Sequence, residues 1–471
     1  MSHYNCTRRE LLKTTGLGAV SMIAWQTTGL ARRSPALRPN IVFVLADDLG
    51  WKDVGYHGGS IRTPNIDRLA AEGTRLEQFY VQPVCSPTRS SLMTGRYPMR
   101  YGLQVGVVRP WANYGLALEE RTLAQALKEA GYTTAICGKW HLGHLSSEYL
   151  PTSRGFDHQY GHYNGALDYF THIRDGGLDW HRNDEPVRER GYTTDLLADE
   201  AVRLIERHDV SGPLFLYVPF NAVHSPFQAP QSDIDKHKHI EQKRKRIFAA
   251  MVTSMDNAIG RIVTALDERG IRENTLIVFC SDNGGVGNVS DNGPLRGQKA
   301  QLYEGGIRVP AIVVWPGVLK AGAVVNEPLH IVDMYPTLIN LAGGTLEQSL
   351  PLDGKNAWPT IAQGKPTPHE EILLNVTPAN GAIRCGDWKL VWNASIGANN
   401  AGQPTERNVF ELFNLAEDPS EKNDLSRKRP QKLRELKRRL ESYASQAVKP
   451  NVPPNKKPGD FKVPKVWGHP D

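Results

Sequence analysis

The sequence predicts an α/β protein in which a large, mixed and mostly parallel sheet is flanked by helices and followed by a smaller domain. Continuous apolar runs rich in β-branched residues, such as Asn40–Ala46, are typical of strands buried on both faces. Amphipathic helical patterns separate these runs, as expected of parallel strands joined by crossover helices. After residue 366, short strand patterns follow one another directly, which favours an antiparallel sheet with one helix.

The 471-residue chain divides into four predicted parts. We expect a signal peptide at 1–31, a catalytic domain at 36–365, a smaller C-terminal subdomain at 366–447, and a tail rich in Pro and Lys at 448–471. A chain of this length can bury one large core or two moderate ones.

The first 31 residues have the features of a secretory signal. Arg8 and Arg9 precede an apolar run at 16–25 and a small-residue exit at 29–31. The adjacent arginines resemble a twin-arginine (Tat) signal, which directs bacterial export through the Tat machinery; a chance Arg pair on an ordinary Sec signal is the alternative. We therefore expect a periplasmic or secreted protein. Stable membrane insertion is not expected, because no later segment reaches the ~20 apolar residues of a span.

The net charge of +6 is a mild basic excess. It could favour an anionic substrate, although a solvated surface explains it more simply. The basic cluster at 243–246 begins an amphipathic helix whose apolar stripe continues to Leu266. We interpret the cluster as the solvated end of that helix, and no nucleic-acid partner is expected.

Groups suited to catalysis follow four of the predicted core strands. In chain order they are Asp47 and Asp48, then Lys139 and His141, then His224, and then Asp282 and Asn283. The carboxyl ends of parallel strands meet at one edge of a sheet, so these groups are expected to converge on a buried site. Adjacent carboxylates repel each other unless a cation lies between them. Asp47 and Asp48 therefore indicate a hard, oxygen-ligated metal, with a solvated turn as the alternative.

A further stretch of unusual composition is 85–96. Pro87 suits a first helical turn and Gly95 a helix end, so Cys85 is predicted to open a short helix whose N-terminus favours anionic groups. Arg89 lies one turn further along the same face. Cys-x-Pro-x-Arg followed by Leu-x-Thr-Gly-Arg resembles the signature of the type I, formylglycine-dependent sulfatases.

Other sequence blocks extend this resemblance over nearly all of residues 39–425. They are Gly-Lys-Trp-His-Leu-Gly at 138–143, Pro-Leu-Phe-Leu-Tyr at 213–217, and Pro-Leu-Arg-Gly-x-Lys at 294–299 followed by Glu-Gly-Gly at 304–306. These blocks are most similar to the arylsulfatase B-like branch. The resemblance implies an alkaline-phosphatase-like sandwich fold and a sulfuric ester hydrolase of the EC 3.1.6 class, and it leaves the oligomeric state open.

The resemblance also implies two cofactors. A formylglycine-generating enzyme would oxidise Cys85 to Cα-formylglycine (3-oxoalanine). One Ca²⁺ would be held by this modified residue together with four others, namely Asp47, Asp48, Asp282 and Asn283. Such an all-oxygen ligand set favours a hard cation over zinc.

In the mechanism that the resemblance implies, one hydroxyl of the hydrated aldehyde attacks sulfur and forms a covalent sulfate ester. His224 and Lys299 would lie near the ester oxygen and help the alcohol to leave. His141 would then take the proton of the second hydroxyl, which expels sulfate and restores the aldehyde. Arg89 and Lys139 would orient the gem-diol and balance the anionic cluster.

Two alternatives remain open at this point. One is a phosphatase or phosphodiesterase of the wider alkaline-phosphatase superfamily, which generally uses a Ser or Thr nucleophile and two metals with histidine ligands; no His-rich second site is apparent here. The other is a non-catalytic carbohydrate-binding relative in which Cys85 stays a thiol.

The resemblance implies a sulfated carbohydrate as substrate, such as N-acetylgalactosamine 4-sulfate or a galactan sulfate, with aryl sulfates as smaller substrates. Residues 152–190 have no clear periodicity and are predicted to form loops that read the substrate. Sequence does not rank the candidate polar residues of this segment, which are His158, His162, Asp168, His172 and His181.

Overall fold

The computed structural model describes residues 38–395, 408–451 and 456–469. The described residues from Pro39 onward belong to one compact unit. The predicted signal peptide at 1–31 lies outside the described residues. Within the described part of the chain, no helix is both long and apolar enough to cross a membrane.

Eighteen strands lie within the described residues. In chain order they are β1 Asn40–Ala46, β2 Thr74–Leu76, β3 Phe79–Tyr80, β4 Thr133–Lys139, β5 His158–His162, β6 Ile173–Arg174, β7 Gly177–Leu178, β8 His181–Arg182, β9 Glu185–Pro186, β10 Leu214–Pro219, β11 Thr275–Ser281, β12 Ala311–Val314, β13 Ala323–Val325, β14 Leu329–His330, β15 Ile372–Val376, β16 Gly381–Cys385, β17 Trp388–Trp392 and β18 Phe410–Asn414. Ten of them form the main sheet, in the order β13-β2-β12-β11-β1-β10-β4-β5-β8-β9.

The centre of the main sheet is parallel. Strands β11, β1, β10, β4 and β5 pair in parallel, with Val42 of β1 opposite Leu216 on one side and Ile277 on the other. Antiparallel pairs occur only further out, where β12 joins β11 and β8 joins β5. The prediction of a mixed, mostly parallel sheet is therefore confirmed.

Helices cover both faces of this sheet. The α-helices of the described residues are α1 Pro64–Glu72, α2 Cys85–Thr94, α3 Leu123–Glu129, α4 Thr193–Arg207, α5 Gln231–Lys236, α6 Lys243–Glu268, α7 Glu304–Ile307, α8 Met334–Leu341, α9 Trp358–Gln363 and α10 Pro430–Ala444. Successive side chains of a strand point to opposite faces. Val42 and Val44 accordingly pack in the core that contains α1, α4 and α6, whereas Ile41 and Phe43 pack in the core that contains α2, α3 and α8.

The C-terminal sheet is antiparallel, as predicted, with the order β15-β16-β17-β18. The pattern at 382–392 predicts a single strand, and this prediction is wrong. The chain reverses between β16 and β17, where Gly386 has a φ of +56° that favours glycine. One face of the sheet packs on α10 through Leu436, together with Tyr97 and Val332; the other face packs on Tyr80.

Two segments predicted to be irregular contain more structure than expected. The segment 152–190 supplies β5 to the main sheet and also the short strands β6 to β9. The tail has no helix or strand in its described parts, 448–451 and 456–469, yet Trp467 is buried there and Val466 forms a bridge with Leu178. Strands of two residues, such as β6 to β9, are too short to produce a periodic apolar pattern, and β5 has the largely polar sequence His-Gln-Tyr-Gly-His.

Candidate active site

The four predicted catalytic loops converge at one edge of the main sheet. They follow β11, β1, β10 and β4, which are consecutive neighbours in the sheet. Asp47 Oδ2 lies 2.5 Å from Lys139 Nζ, and Asp48 Oδ2 lies 3.7 Å from His224 Nε2. The backbone N–H of Asp48 donates to Asp282 Oδ1 at 3.2 Å. Asp48 and Asp282, which are 234 residues apart in the sequence, therefore share one buried site.

Cys85 lies at the first turn of α2 and faces this cluster. Its thiol is buried, with Sγ 3.3 Å from Asp47 Oδ1 and 3.6 Å from Lys299 Nζ. Burial and the charges of Asp282 and Asp47 raise the pKa of the thiol well above its usual value. The unmodified side chain is therefore a protonated thiol, a weaker nucleophile than a thiolate.

Arg89 joins three elements of the site. Its Nε and Nη2 donate to Asp282 Oδ2 at 3.0 and 2.9 Å, and its Nη1 donates to the carbonyl oxygen of Lys139 at 3.0 Å. Nη2 also lies 3.6 Å from Asp47 Oδ2. This fully buried guanidinium, positioned one helical turn after Cys85, fixes the relative positions of the loops after β1, β4 and β11.

The site balances three carboxylates against three cations, the latter being Arg89, Lys139 and Lys299. Lys299 Nζ lies 2.5 Å from Asp48 Oδ1. Burial alone would raise the pKa of Asp48, but Lys299 and His224 outweigh burial and hold that pKa below its usual range. Burial and the charge of Asp47 instead raise the pKa of Asp282 to about 6. The two aspartates therefore differ in how readily they ionise.

The two histidines present different ring nitrogens to the site. His141 Nε2 lies 2.9 Å from the carbonyl oxygen of Val108, which can only accept a hydrogen bond. The ring proton of neutral His141 is therefore on Nε2, and Nδ1 is buried without a partner among the described residues. Burial and the Lys139 charge hold the pKa of His141 well below its usual value. His224 has the opposite arrangement. Its Nδ1 lies 2.6 Å from the carbonyl oxygen of Ser225, and its Nε2 faces Asp48.

Sequence reasoning missed three residues that position His141. Ser86 donates its hydroxyl to the carbonyl of His141 at 2.9 Å and accepts from the backbone N–H of Val108 at 3.0 Å. A Cβ at Gly165 would lie 2.5 Å from the His141 ring, so a larger residue there would displace it. Ser86 is adjacent to Cys85 in the sequence, but Val108 and Gly165 carry no local signal of their role.

The oxygen donors of the site, those of Asp47, Asp48 and Asn283, fit a hard divalent cation. The side chains of Asp47, Asp48, Cys85 and His224 form a group whose potential ligand atoms all lie within 4.8 Å of one another. Asn283 donates through Nδ2 to Asp48 Oδ1 at 2.8 Å, while its buried Oδ1 accepts no hydrogen bond from the described residues. Carboxylate oxygens beside an unused amide oxygen are the donors that Ca²⁺ and Mg²⁺ prefer.

A cavity of about 270 Å³ opens above the cluster. Cys85, His141, His224 and Lys299 line it, whereas the carboxylates lie beneath. This volume is near the lower end of the range for small-molecule sites, so it suits one compact group and leaves any longer substrate outside.

The five unranked polar residues of 152–190 do not line this cavity. They have other surroundings: His158 Nε2 pairs with Glu200 at 2.6 Å, and Asp168 accepts from Gln228 at 2.6 Å. His172 and His181 lie beside the rings of Trp180 and Tyr163, and His162 stacks on Trp180. The charged residue of this segment that does line the cavity is Arg174.

Fold and site together define a hydrolase that has an alkaline-phosphatase-like fold of the α/β class. Its cationic cavity suits a tetrahedral anion. The family model described as sulfatase matches residues 39–344, so the chain belongs to the sulfatase family. The protein is a sulfuric ester hydrolase of the EC 3.1.6 class.

Individual relatives agree with this assignment. The chain is 38% identical over 464 residues to arylsulfatase J of Mus musculus, with 88% of this chain and 77% of the relative covered. It is 31% identical over 450 residues to N-acetylgalactosamine-6-sulfatase of Mus musculus, covering 86% and 85% of the two chains. The crystal structure of Ps i-CgsB in complex with k-i-k-neocarrahexaose has a TM-score of 0.80 and 34% identity, covering 88% of this chain and 94% of that chain.

Proposed function

We propose that this sulfatase hydrolyses sulfate esters of carbohydrates with a formylglycine derived from Cys85, and that it belongs to the arylsulfatase B-like branch. One observation carries the proposal. Cys85 Sγ lies 3.3 Å from Asp47 and 3.6 Å from Lys299, and both Cys85 and Lys299 line a cavity that is next to three carboxylates and two further cations. An oxygen nucleophile at this position would meet a bound sulfate that is held by positive charge.

Maturation supplies the reactive group. A formylglycine-generating enzyme would oxidise the Cys85 side chain to an aldehyde with an external oxidant, and the thiol sulfur would leave. Four side chains, those of Asp47, Asp48, Asp282 and Asn283, would hold one Ca²⁺ with the modified residue. The hydrated aldehyde supplies the attacking hydroxyl, and the cation, when bound, polarises the sulfate. Hydrolysis then cleaves the S–O bond, so the sugar leaves as an alcohol and sulfate as the second product.

The surrounding residues handle charge and protons. Arg89 and Lys139 hold Asp282 and Asp47 in place beside position 85. Lys299 lines the cavity next to position 85 and, with His224, stabilises and protonates the departing alcohol oxygen. His141 has its proton on Nε2, so its free Nδ1 can accept the proton of the second hydroxyl when sulfate leaves.

The proposed substrate is a sulfated carbohydrate, either N-acetylgalactosamine 4-sulfate or a galactan sulfate. Two similar proteins are an N-acetylgalactosamine-6-sulfatase and Ps i-CgsB, which was crystallised with a neocarrahexaose. The compact cavity supports recognition of a sulfate on one sugar at a time, with the rest of the chain outside.

We further propose a bacterial protein that is exported through the Tat machinery to the periplasm or beyond. The twin-arginine pattern at Arg8 and Arg9 supports this proposal. Cys85 is only 1% exposed in the folded chain, so its oxidation has to precede the completion of folding. For a protein that folds before export, that places formylglycine formation in the cytoplasm.

A direct comparison of ester classes tests the proposal. The protein is produced together with a formylglycine-generating enzyme, and kcat/KM is measured for 4-nitrophenyl sulfate and 4-nitrophenyl phosphate. We expect the sulfate to be preferred by at least about tenfold. Faster phosphate turnover would contradict the proposal. Release of sulfate from chondroitin, heparan and carrageenan chains then identifies the carbohydrate, and activity confined to aryl sulfates would exclude a carbohydrate substrate.

A further inference from the structure

Two arginines line the catalytic cavity without belonging to the charge cluster beneath it. They are Arg109, in the loop before α3, and Arg174, in β6. We propose that these two guanidinium groups bind a second anionic group of the substrate, a sulfate or carboxylate, and that the C-terminal segment 456–469 holds Arg174 in position. This inference rests on the proposed carbohydrate sulfatase function and specifies the substrate class.

Charge balance is the first argument. Arg89, Lys139 and Lys299 already balance the three carboxylates, and a divalent cation would exceed the single negative charge of a sulfate ester. Among the described residues that line the cavity, none is a carboxylate. Arg109 and Arg174 therefore add positive charge to the lining of a cavity that contributes no carboxylate to balance it. A guanidinium also matches the planar or tetrahedral oxygens of carboxylate and sulfate in a bidentate way.

The pairing of the two arginines is the second argument. Within the described ranges, Arg109 forms no ion pair with a carboxylate. Arg174 Nε lies 3.1 Å from Asp175 Oδ2, but the Asp175 side chain is 42% exposed, so solvent screens this contact. Both arginines are half-buried, which makes them accessible to a ligand in the cavity.

The position of Arg174 depends on the C-terminal segment. The hairpin of β6 and β7 carries Arg174, and the backbone of Leu178 in β7 pairs with that of Val466. The buried indole of Trp467 donates from Nε1 to the carbonyl oxygen of Arg174 at 2.9 Å. The tail does not line the catalytic cavity itself, but one of its side chains fixes the backbone of Arg174, which does.

A second cavity indicates where a longer substrate would continue. It has a volume of about 260 Å³ and shares Pro110 with the catalytic cavity. Leu145, Phe461 and the exposed Lys462 are among its lining residues. Apolar and aromatic surfaces beside a lysine suit a sugar ring with an anionic substituent. The second anion can thus belong to the same sugar as the scissile sulfate or to its neighbour.

Selectivity between substrates tests the proposal. The measured quantity is the ratio of kcat/KM for a disulfated oligosaccharide to kcat/KM for 4-nitrophenyl sulfate, in the wild type and in Arg174→Ala and Arg109→Ala. We expect each substitution to lower this ratio by about 10- to 100-fold, mainly through KM for the oligosaccharide. The matched control is Arg190→Ala, which removes an exposed arginine of the same segment outside the cavity and should keep the ratio within about twofold.

A milder variant separates positioning from folding. Trp467→Phe removes the N–H donor to Arg174 and keeps an aromatic ring, so the ratio should fall by less than in Arg174→Ala and in the same direction. Two disulfated oligosaccharides are then compared, one with both sulfates on a single sugar and one with the sulfates on neighbouring sugars. The better substrate shows which sugar bears the second anion. Equal ratios in the wild type and both arginine variants would overturn the proposal.

Binding gives a readout that does not require turnover. In the Cys85→Ala background, calorimetry with disulfated and monosulfated oligosaccharides should show tighter binding of the disulfated one, and Arg174→Ala should abolish the difference. If the wild type hydrolyses no sulfate ester, the proposed function fails, while the calorimetric difference still decides this inference. Equal affinity for both oligosaccharides would refute it.

Discussion

Two buried charge clusters in this molecule use the same kinds of side chain in opposite ways. The catalytic cluster lies at the edge of the main sheet around Asp47 and Asp48. The second, here called the scaffold cluster, consists of Glu304, Lys389 and Glu421, all fully buried. Lys389 Nζ lies 2.9 Å from Glu304 Oε1 and 2.8 Å from Glu421 Oε1.

The clusters differ in what their polar atoms contact. In the scaffold cluster, Tyr80 donates its hydroxyl to Glu304 at 2.8 Å, and the backbone N–H of Glu304 donates to Glu421 at 2.6 Å. The cluster thereby joins α7 to β17 of the C-terminal sheet. In the catalytic cluster, Asn283 Oδ1 and His141 Nδ1 are buried without partners among the described residues. Glu421 Oε1 also accepts no hydrogen bond from the described residues, but it has Lys389 Nζ at 2.8 Å as its ion-pair partner. Charges paired internally in this way are structural, whereas acceptors with neither a hydrogen bond nor an ion pair at the active site indicate a ligand site.

The largest expected effect separates activity from stability. Cys85→Ala should reduce sulfate-ester turnover by at least about a thousandfold, because it removes the precursor of the nucleophile. The loss of one small side chain should shift Tm by only a few degrees, as about 1 kcal/mol does. Turnover of 4-nitrophenyl sulfate and a thermal melt check the two parts. Activity like that of the wild type would remove Cys85 from the mechanism.

The scaffold cluster should show the reverse pattern. Lys389→Met leaves Glu304 and Glu421 buried without their ammonium, which should cost about 3–5 kcal/mol of unfolding free energy. Chemical denaturation measures this loss, and kcat per folded molecule should stay close to that of the wild type. The control Arg68→Ala breaks the exposed pair with Glu72 and should cost under about 0.5 kcal/mol. Similar losses of unfolding free energy in Lys389→Met and Arg68→Ala would contradict a structural role for the scaffold cluster.

A substitution at Asn283 tests the proposed metal site without altering the nucleophile at position 85. Asn283→Ala removes a buried amide oxygen that no described residue uses. Calcium affinity, measured by titration after chelation, should fall by at least about tenfold, and activity at limiting calcium should fall with it. Because the substitution also removes the Nδ2 donor to Asp48 and Gly284, the melting temperature in excess chelator should fall by several degrees, and the calcium affinity is compared on the folded protein. An unchanged calcium affinity would mean that Asn283 is not a ligand.

The scaffold cluster should also show a pH-dependent effect. Burial raises the pKa of Glu421 from 4.5 to about 7, because Lys389 offsets burial only in part and the charge of Glu304 adds to it. Between about pH 4.5 and 7 the unfolded state loses this proton first, so the contribution of Glu421 to stability decreases as pH rises. The difference in unfolding free energy between wild type and Glu421→Gln should change by up to about 3 kcal/mol across this window. If the difference in unfolding free energy between the two proteins does not vary with pH, the raised pKa of Glu421 is refuted.

Much of the fold followed from local sequence. Strand β1 and its neighbours are long enough, and apolar enough, for their burial on both faces to be evident. The reversal at Gly386 was missed because the apolar pattern continues through the turn. The packing of Trp467 was missed because a single aromatic residue in a polar tail has no periodic partner.

The candidate site was predictable in its residues but not in its geometry. The polar groups after β1, β4, β10 and β11 follow from strand ends meeting at one sheet edge. The tautomer of His141 depends on the carbonyl of Val108, and the room for the His141 ring depends on the absence of a side chain at Gly165. Such contacts between distant backbone and side-chain atoms leave no pattern in a sequence. The same holds for Arg174, whose place in the cavity depends on the tail.

Peptide mass spectrometry tests most directly whether Cys85 is the precursor of the catalytic aldehyde. Cleavage after Arg75 and Arg89 releases residues 76–89, which contain Cys85 alone among the cysteines. In active protein produced with a formylglycine-generating enzyme, we predict that this peptide has lost the thiol sulfur and gained an aldehyde oxygen. The extent of conversion should rise in proportion to kcat across preparations. Fully active protein in which residue 85 is an unmodified cysteine would contradict the account.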